Sequence, residues 1–168
     1  YGVSAEGIPG FASEPRSTRR RARFEFSGEG DVMKSPEISY PARERLDGSH
    51  RGFVEIDRTS APAKAVIRVD APGEYTLAFR YANGNGPVNT ENKCCVRAVF
   101  VDGVKAGTAV MPTRGVANWP DWGMSNTVRL PLSAGEHTVE LRYLPEDENM
   151  NISTNHALVD CVVVEQAL

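Results

Sequence analysis

At 168 residues the chain is long enough for one sizeable core and short for two, and 40% apolar residues with 15 glycines and 11 prolines mark a turn-rich globular protein rather than a disordered one. A formal net charge of −3 gives no footing for a nucleic-acid binder, and no stretch approaches the roughly 18 consecutive apolar residues of a membrane span. The chain begins at Tyr1 with neither a methionine nor a signal peptide, as expected of a segment processed or excised from something longer.

Residues 1–20 read as a linker or N-terminal extension. Gly2, Gly7, Pro9, Gly10 and Pro15 punctuate them and no period is sustained. The basic run Arg16, Arg19, Arg20, Arg21 and Arg23 has no apolar periodicity beside it and reads as a solvated leader rather than a polyanion-binding arm. Residues 21–168 read as one domain. Its first strand is expected at Ala22–Phe26, followed by an irregular passage, Ser27 to Arg51, of a length that is usually functional or anchored by ions. Further strands are expected at Gly52–Asp57, Ala63–Val69, Glu74–Tyr81, Cys94–Val101, Gly107–Met111, Thr127–Leu132, His137–Tyr143 and Ala157–Gln166, and no segment carries a helical pattern.

One phrase is written twice. Gly73-Glu-Tyr-Thr-Leu-Ala-Phe-Arg-Tyr81 returns as Gly135-Glu-His-Thr-Val-Glu-Leu-Arg-Tyr143, each copy entered through a small turn. Strand side chains alternate between faces, so Tyr75, Leu77, Phe79 and Tyr81 share one face, as do His137, Val139, Leu141 and Tyr143. The copies are too far apart for one hairpin and too few for a solenoid, which makes them equivalent strands of a layered all-β domain. Asp102-Gly103 between two apolar runs signals a hairpin. Short strands without helical crossovers define an all-β, two-sheet antiparallel β-sandwich, a jelly roll, with an up-and-down barrel as the competing arrangement. Such a scaffold presents its function in its loops.

The chemistry-bearing residues are few. Cys94 and Cys95 are adjacent on a strand, so at most one can meet Cys161; free thiols and a disulfide both stand open, and the spacing fits neither a zinc ribbon nor a CxxC pair. His50, His137 and His156 form no metal or nucleophile motif, and His137, on an apolar strand face, reads as a core histidine. Asp160 interrupts the apolar run Ala157 to Val164, where an unpaired carboxylate is costly if buried; a metal, an arginine partner and water at a strand end all stand open. The acidic cluster at 147–149 reads as a solvated loop, and Asn83 and Asn85, beside glycines, as turn residues. Trp119 and Trp122 lie in a segment broken by Pro120 and Gly123, where a ring can reach the surface or cap the core.

In unbroken order, Phe24-Glu25, Gly52-Phe-Val-Glu-Ile56, Ala71 to Gly84, Val101-Asp-Gly103, Trp119-Pro-Asp-Trp122, Leu132 to Leu141 and Leu158 to Val164 resemble the family 6 and family 35 carbohydrate-binding modules, galactose-binding-like β-sandwiches. The resemblance implies a non-catalytic, secreted, periplasmic or cell-surface module that holds a polysaccharide or oligosaccharide for an attached glycoside hydrolase or lyase. It places Trp119 in the binding loop and Trp122 over the core, matches Asn155 to an asparagine that meets sugar hydroxyls, and puts Phe53, with Tyr40, at the margin of the platform. It also implies a structural Ca²⁺ between Glu25 and Asp160, which the neighbouring terminal strands would bring together. The second carboxylate of the family's first strand is Ser27 here. That departure keeps a second reading open, a structural sandwich of a large glycoside hydrolase that binds no sugar itself.

Overall fold

A computed structural model describes residues 21–26, 53–86, 94–148 and 155–167. The strands follow from strict alternation. In β3 (Ala63–Val69) Ala63, Ala65, Ile67 and Val69 are buried and the residues between them exposed, so one face meets a core and the other water. The remaining strands are β1 (Arg21–Glu25), β2 (Val54–Ile56), β4 (Gly73–Ala82), β5 (Cys95–Val101), β6 (Val104–Met111), β7 (Gly123–Met124), β8 (Val128–Leu132), β9 (Gly135–Arg142) and β10 (Ala157–Gln166). One sheet runs β1-β10-β4-β7, with β2 beside β10 and β8 beside β4; the other runs β3-β9-β5-β6. All pairings among the described residues are antiparallel, and their division into two separate sheets settles the sandwich against the barrel.

The repeated phrase occupies equivalent places. Its first copy is β4, flanked by β10 and β8; its second is β9, flanked by β3 and β5. Tyr75, Leu77, Phe79 and Tyr81 of one copy and Val139 and Leu141 of the other meet in the same core. β10 lies inside its sheet between β1 and β4, and every residue from Ala157 to Val164 is buried, which is why its sequence reads apolar without alternation. Asp102 (φ 51°) and Gly103 (φ 80°) make the expected hairpin turn and pair Val101 with Val104, so β6 starts earlier than its apolar run suggested. β7 was not anticipated, two residues being too few for any period to register. A single 3₁₀ turn at Pro145–Asp147 is the helical structure among the described residues, and no helix there is long and apolar enough to cross a membrane.

The antiparallel order sorts the connections to two ends. One end gathers the residues after β4, β6 and β9 and those before β10. The other holds the turn at 102–103 and the entry to β9, where His137 is buried with Nδ1 at 2.6 Å from Asp102 Oδ2 and Nε2 at 2.7 Å from Ser133 O. His137 is thus the core histidine expected, with both ring nitrogens occupied.

Candidate functional site

At the first end the segment after β6 is clamped on the segment after β4. Arg114 N donates to Asn83 O (2.8 Å), Ala117 N to Gly84 O (2.7 Å) and Thr113 Oγ1 to Asn85 O (2.6 Å). Tyr81 Oη donates to Pro112 O (2.9 Å), and Arg114 Nε to Asp121 O (3.0 Å). Beneath them Asn83, fully buried, donates Nδ2 to Met111 O (3.0 Å) and accepts from Asn85 N and Nδ2 at 3.1 and 2.8 Å. Asn85 Nδ2 also reaches His156 O (3.0 Å). Both asparagines therefore build the turn, as read from the sequence.

This clamp positions Trp119. Its indole lies directly on the backbone of Gly84: a Cβ there would stand 2.8 Å from ring atoms Cγ, Cδ1 and Cδ2, so only glycine admits the ring. The half-buried indole stands 5.2 Å from the His156 ring at 57°. His156 Nε2 is 2.8 Å from Glu55 Oε1 on β2, and Asn85 Nδ2, a donor, is 3.4 Å from Nδ1. A ring nitrogen this close to a carboxylate carries the proton, so Nε2 donates to Glu55. The result is an aromatic ring on a fixed loop beside a histidine that is itself held by a carboxylate and an amide. Glu55 was not singled out from the sequence; its signal was a charged residue beside two buried ones, Phe53 and Ile56.

Phe53 is 6% exposed and forms a small second core with Ala82 and Leu158, against which both tryptophans pack. Its ring is 5.6 Å from Trp122. It supports the aromatic layer from below and does not offer an open stacking face. Trp122 covers this second core, with the Arg80 guanidinium 5.2 Å from its ring centre.

Asn155 is turned inward, 1% exposed. Its Oδ1 accepts from Val96 N (2.9 Å) and Arg97 Nη1 (2.5 Å), and its Nδ2 donates to Asp147 O (2.8 Å). Arg97, also buried, donates Nη2 to Asp57 O (2.8 Å) and Asn155 O (3.0 Å) and stands over the Tyr143 ring at 5.2 Å. The expectation that Asn155 meets sugar hydroxyls gives way to a brace between a buried cation and the segment before β10. Asp147 corrects the reading of a solvated acidic loop in the same way: it is 3% exposed, and its Oδ2 accepts from Leu144 N and Ala98 N.

Asp160, 1% exposed, has Arg80 Nη1 at 2.6 Å from Oδ2. The arginine partner, one of the open readings, is present. Glu25 pairs in register with Cys161 at the edge of the same sheet. Among the described residues no three His, Cys, Asp or Glu side chains gather as a metal would require, and a guanidinium against the expected ligand oxygen does not fit a calcium site. The three cysteines are free thiols; burial pushes that of Cys95 up to about 12. Tyr40, like His50, lies outside the described residues.

Fold and site together define a β-sandwich that presents an aromatic platform on loops at one end. No family model matches the chain. Among curated proteins it is similar to a cycloisomaltooligosaccharide glucanotransferase of Niallia circulans, at 34% identity over 94 residues, which make up 55% of this chain and 9% of that enzyme. The chain thus spans about a tenth of that relative's length. Among solved structures it is similar to a family 35 carbohydrate-binding module from an environmental isolate (TM-score 0.53, 21% identity, 87% of this chain and 97% of that one). A second such module, from Cellvibrio japonicus, superposes with a TM-score of 0.51 at 22% identity, covering 86% of this chain and 92% of that one. The chain has the fold of the family 35 carbohydrate-binding modules.

Proposed function

We propose that the chain is a non-catalytic carbohydrate-binding module of a secreted glycoside-active enzyme, and that it holds an α-1,6-linked glucan near the attached catalytic domain. The observation that carries this reading is Trp119: an indole seated on Gly84, fixed by the clamped loop and edged by His156, which Glu55 holds. The C–H face of a pyranose packs on such a ring, while the carboxylate and imidazole take its hydroxyls and orient it. The glucan class is suggested by the similar glucanotransferase. A carboxylate at the rim opposes an acidic sugar, so neutral glucans should bind better than uronic-acid polymers. Affinity should be modest, because each hydroxyl leaves good hydrogen bonds to water behind.

The test is affinity electrophoresis in gels containing dextran, starch, mannan or a glucuronoxylan. Retardation by dextran that is abolished in Trp119→Ala supports the reading; equal mobility in all four gels contradicts it. A second reading, a structural accessory sandwich that binds no sugar, draws on the inward orientation of Asn155 and Asp160, both expected at a ligand or metal and both engaged within the chain.

A further inference from the structure

Asp160 places a carboxylate in the middle of β10 between Val159 and Cys161, with 1% of its surface exposed. The register of β10 against β4 shifts between Val159 and Cys161, so Asp160 is the extra residue of a bulge. A bulge re-aims a side chain, and here the carboxylate meets Arg80, which stands on β4 opposite Cys161. Arg80 Nη1 comes within 2.6 Å of Oδ2. The guanidinium is itself seated, 5.2 Å from the Trp122 ring centre, and Trp122 packs on Phe53.

We propose that Arg80 is the resident counter-ion of Asp160 and stands in for the divalent cation that the family resemblance assigns to this carboxylate, so that the fold requires no calcium there. A calcium ion would have to approach this carboxylate to about 2.3–2.6 Å beside a fixed positive charge already in contact with its Oδ2. Arginine keeps that charge at every accessible pH. The substitution is consistent with Ser27 at the place of the family's second carboxylate. A strand residue, the bulge and the indole under the guanidinium together do what an ion would do.

Calorimetric melting of the chain in excess EDTA and in millimolar calcium tests this. Arg80→Met should melt about 10 °C lower than the parent, because it removes a contacting cation from a buried carboxylate. Adding Asp160→Asn to that variant should restore most of the loss, and the parent should melt within about 2 °C in the two buffers. Should Arg80→Met fail to fold, a soluble double variant melting near the parent supports the proposal equally. A parent that gains more than about 4 °C from calcium, or a double variant as impaired as the single one, overturns it.

Discussion

Among the described residues Arg97 heads the fully buried side chains by volume, and a buried guanidinium is tolerable only with its donors met. Asn155 supplies two of those acceptors, Oδ1 and its own carbonyl, and ties them to Asp147. Asn155→Ala should therefore lower unfolding free energy by about 3 kcal/mol, measured by urea denaturation, because Arg97 and Val96 lose a partner in the interior. A ligand-contacting asparagine would instead cost affinity and leave stability alone. His137 yields a pH prediction. Hydrogen bonding to the Ser133 carbonyl first, and to Asp102 second, raises its pKa above the usual 6.5. The unfolded chain releases the proton nearer 6.5, so this stabilisation is complete below that value and is lost as pH rises through the higher folded one. The melting temperature should fall as pH climbs from about 6.5 to 8.5, and Asp102→Asn should flatten the slope. A parent slope unchanged by that substitution would remove the histidine from the account. Single residues were the least legible part of the sequence. That Asp160 is costly unless paired or solvated could be read from its apolar neighbours; that its partner is Arg80, eighty positions earlier, depends on a strand register and a bulge that no local pattern encodes.

Strands were legible because burial on one face writes a period of two, and β3, β4 and β9 show it cleanly. β10 was legible by the opposite sign, an apolar run unbroken but for Asp160, and the Asp102-Gly103 hairpin by its turn chemistry. The clamp between residues 83–86 and 112–122 was not, because loop-to-loop backbone hydrogen bonds leave no periodic trace. Its consequence is nevertheless sharp at Gly84. Gly84→Ala puts a methyl group within 2.8 Å of three indole atoms and must displace Trp119. Dextran affinity should fall about tenfold, about 1.4 kcal/mol, while the urea midpoint changes little, since the core strands are untouched. Parallel losses in both would mean that Trp119 serves the fold rather than a ligand.

Across the whole molecule, the two copies of one phrase set the centres of two sheets, and the antiparallel order carries the chemistry-bearing loops to one end. The other end is closed by His137, Asp102 and Ser133. On the proposed function, this division lets the rigid shell hold Trp119 at low conformational cost, which would matter for a ligand that recovers little energy per hydroxyl. The fold was readable from the sequence because it depends on repetition. The site was readable only to the extent that an indole in a broken segment marks a loop; Glu55 and the inward turn of Asn155 emerged from packing. The direct measurement is isothermal titration of isomaltooligosaccharides into the parent chain and into Trp119→Ala. Saturable heat with a micromolar to millimolar dissociation constant in the parent, absent from the variant, is the predicted result; equal heats in both, or none in the parent, would contradict the account.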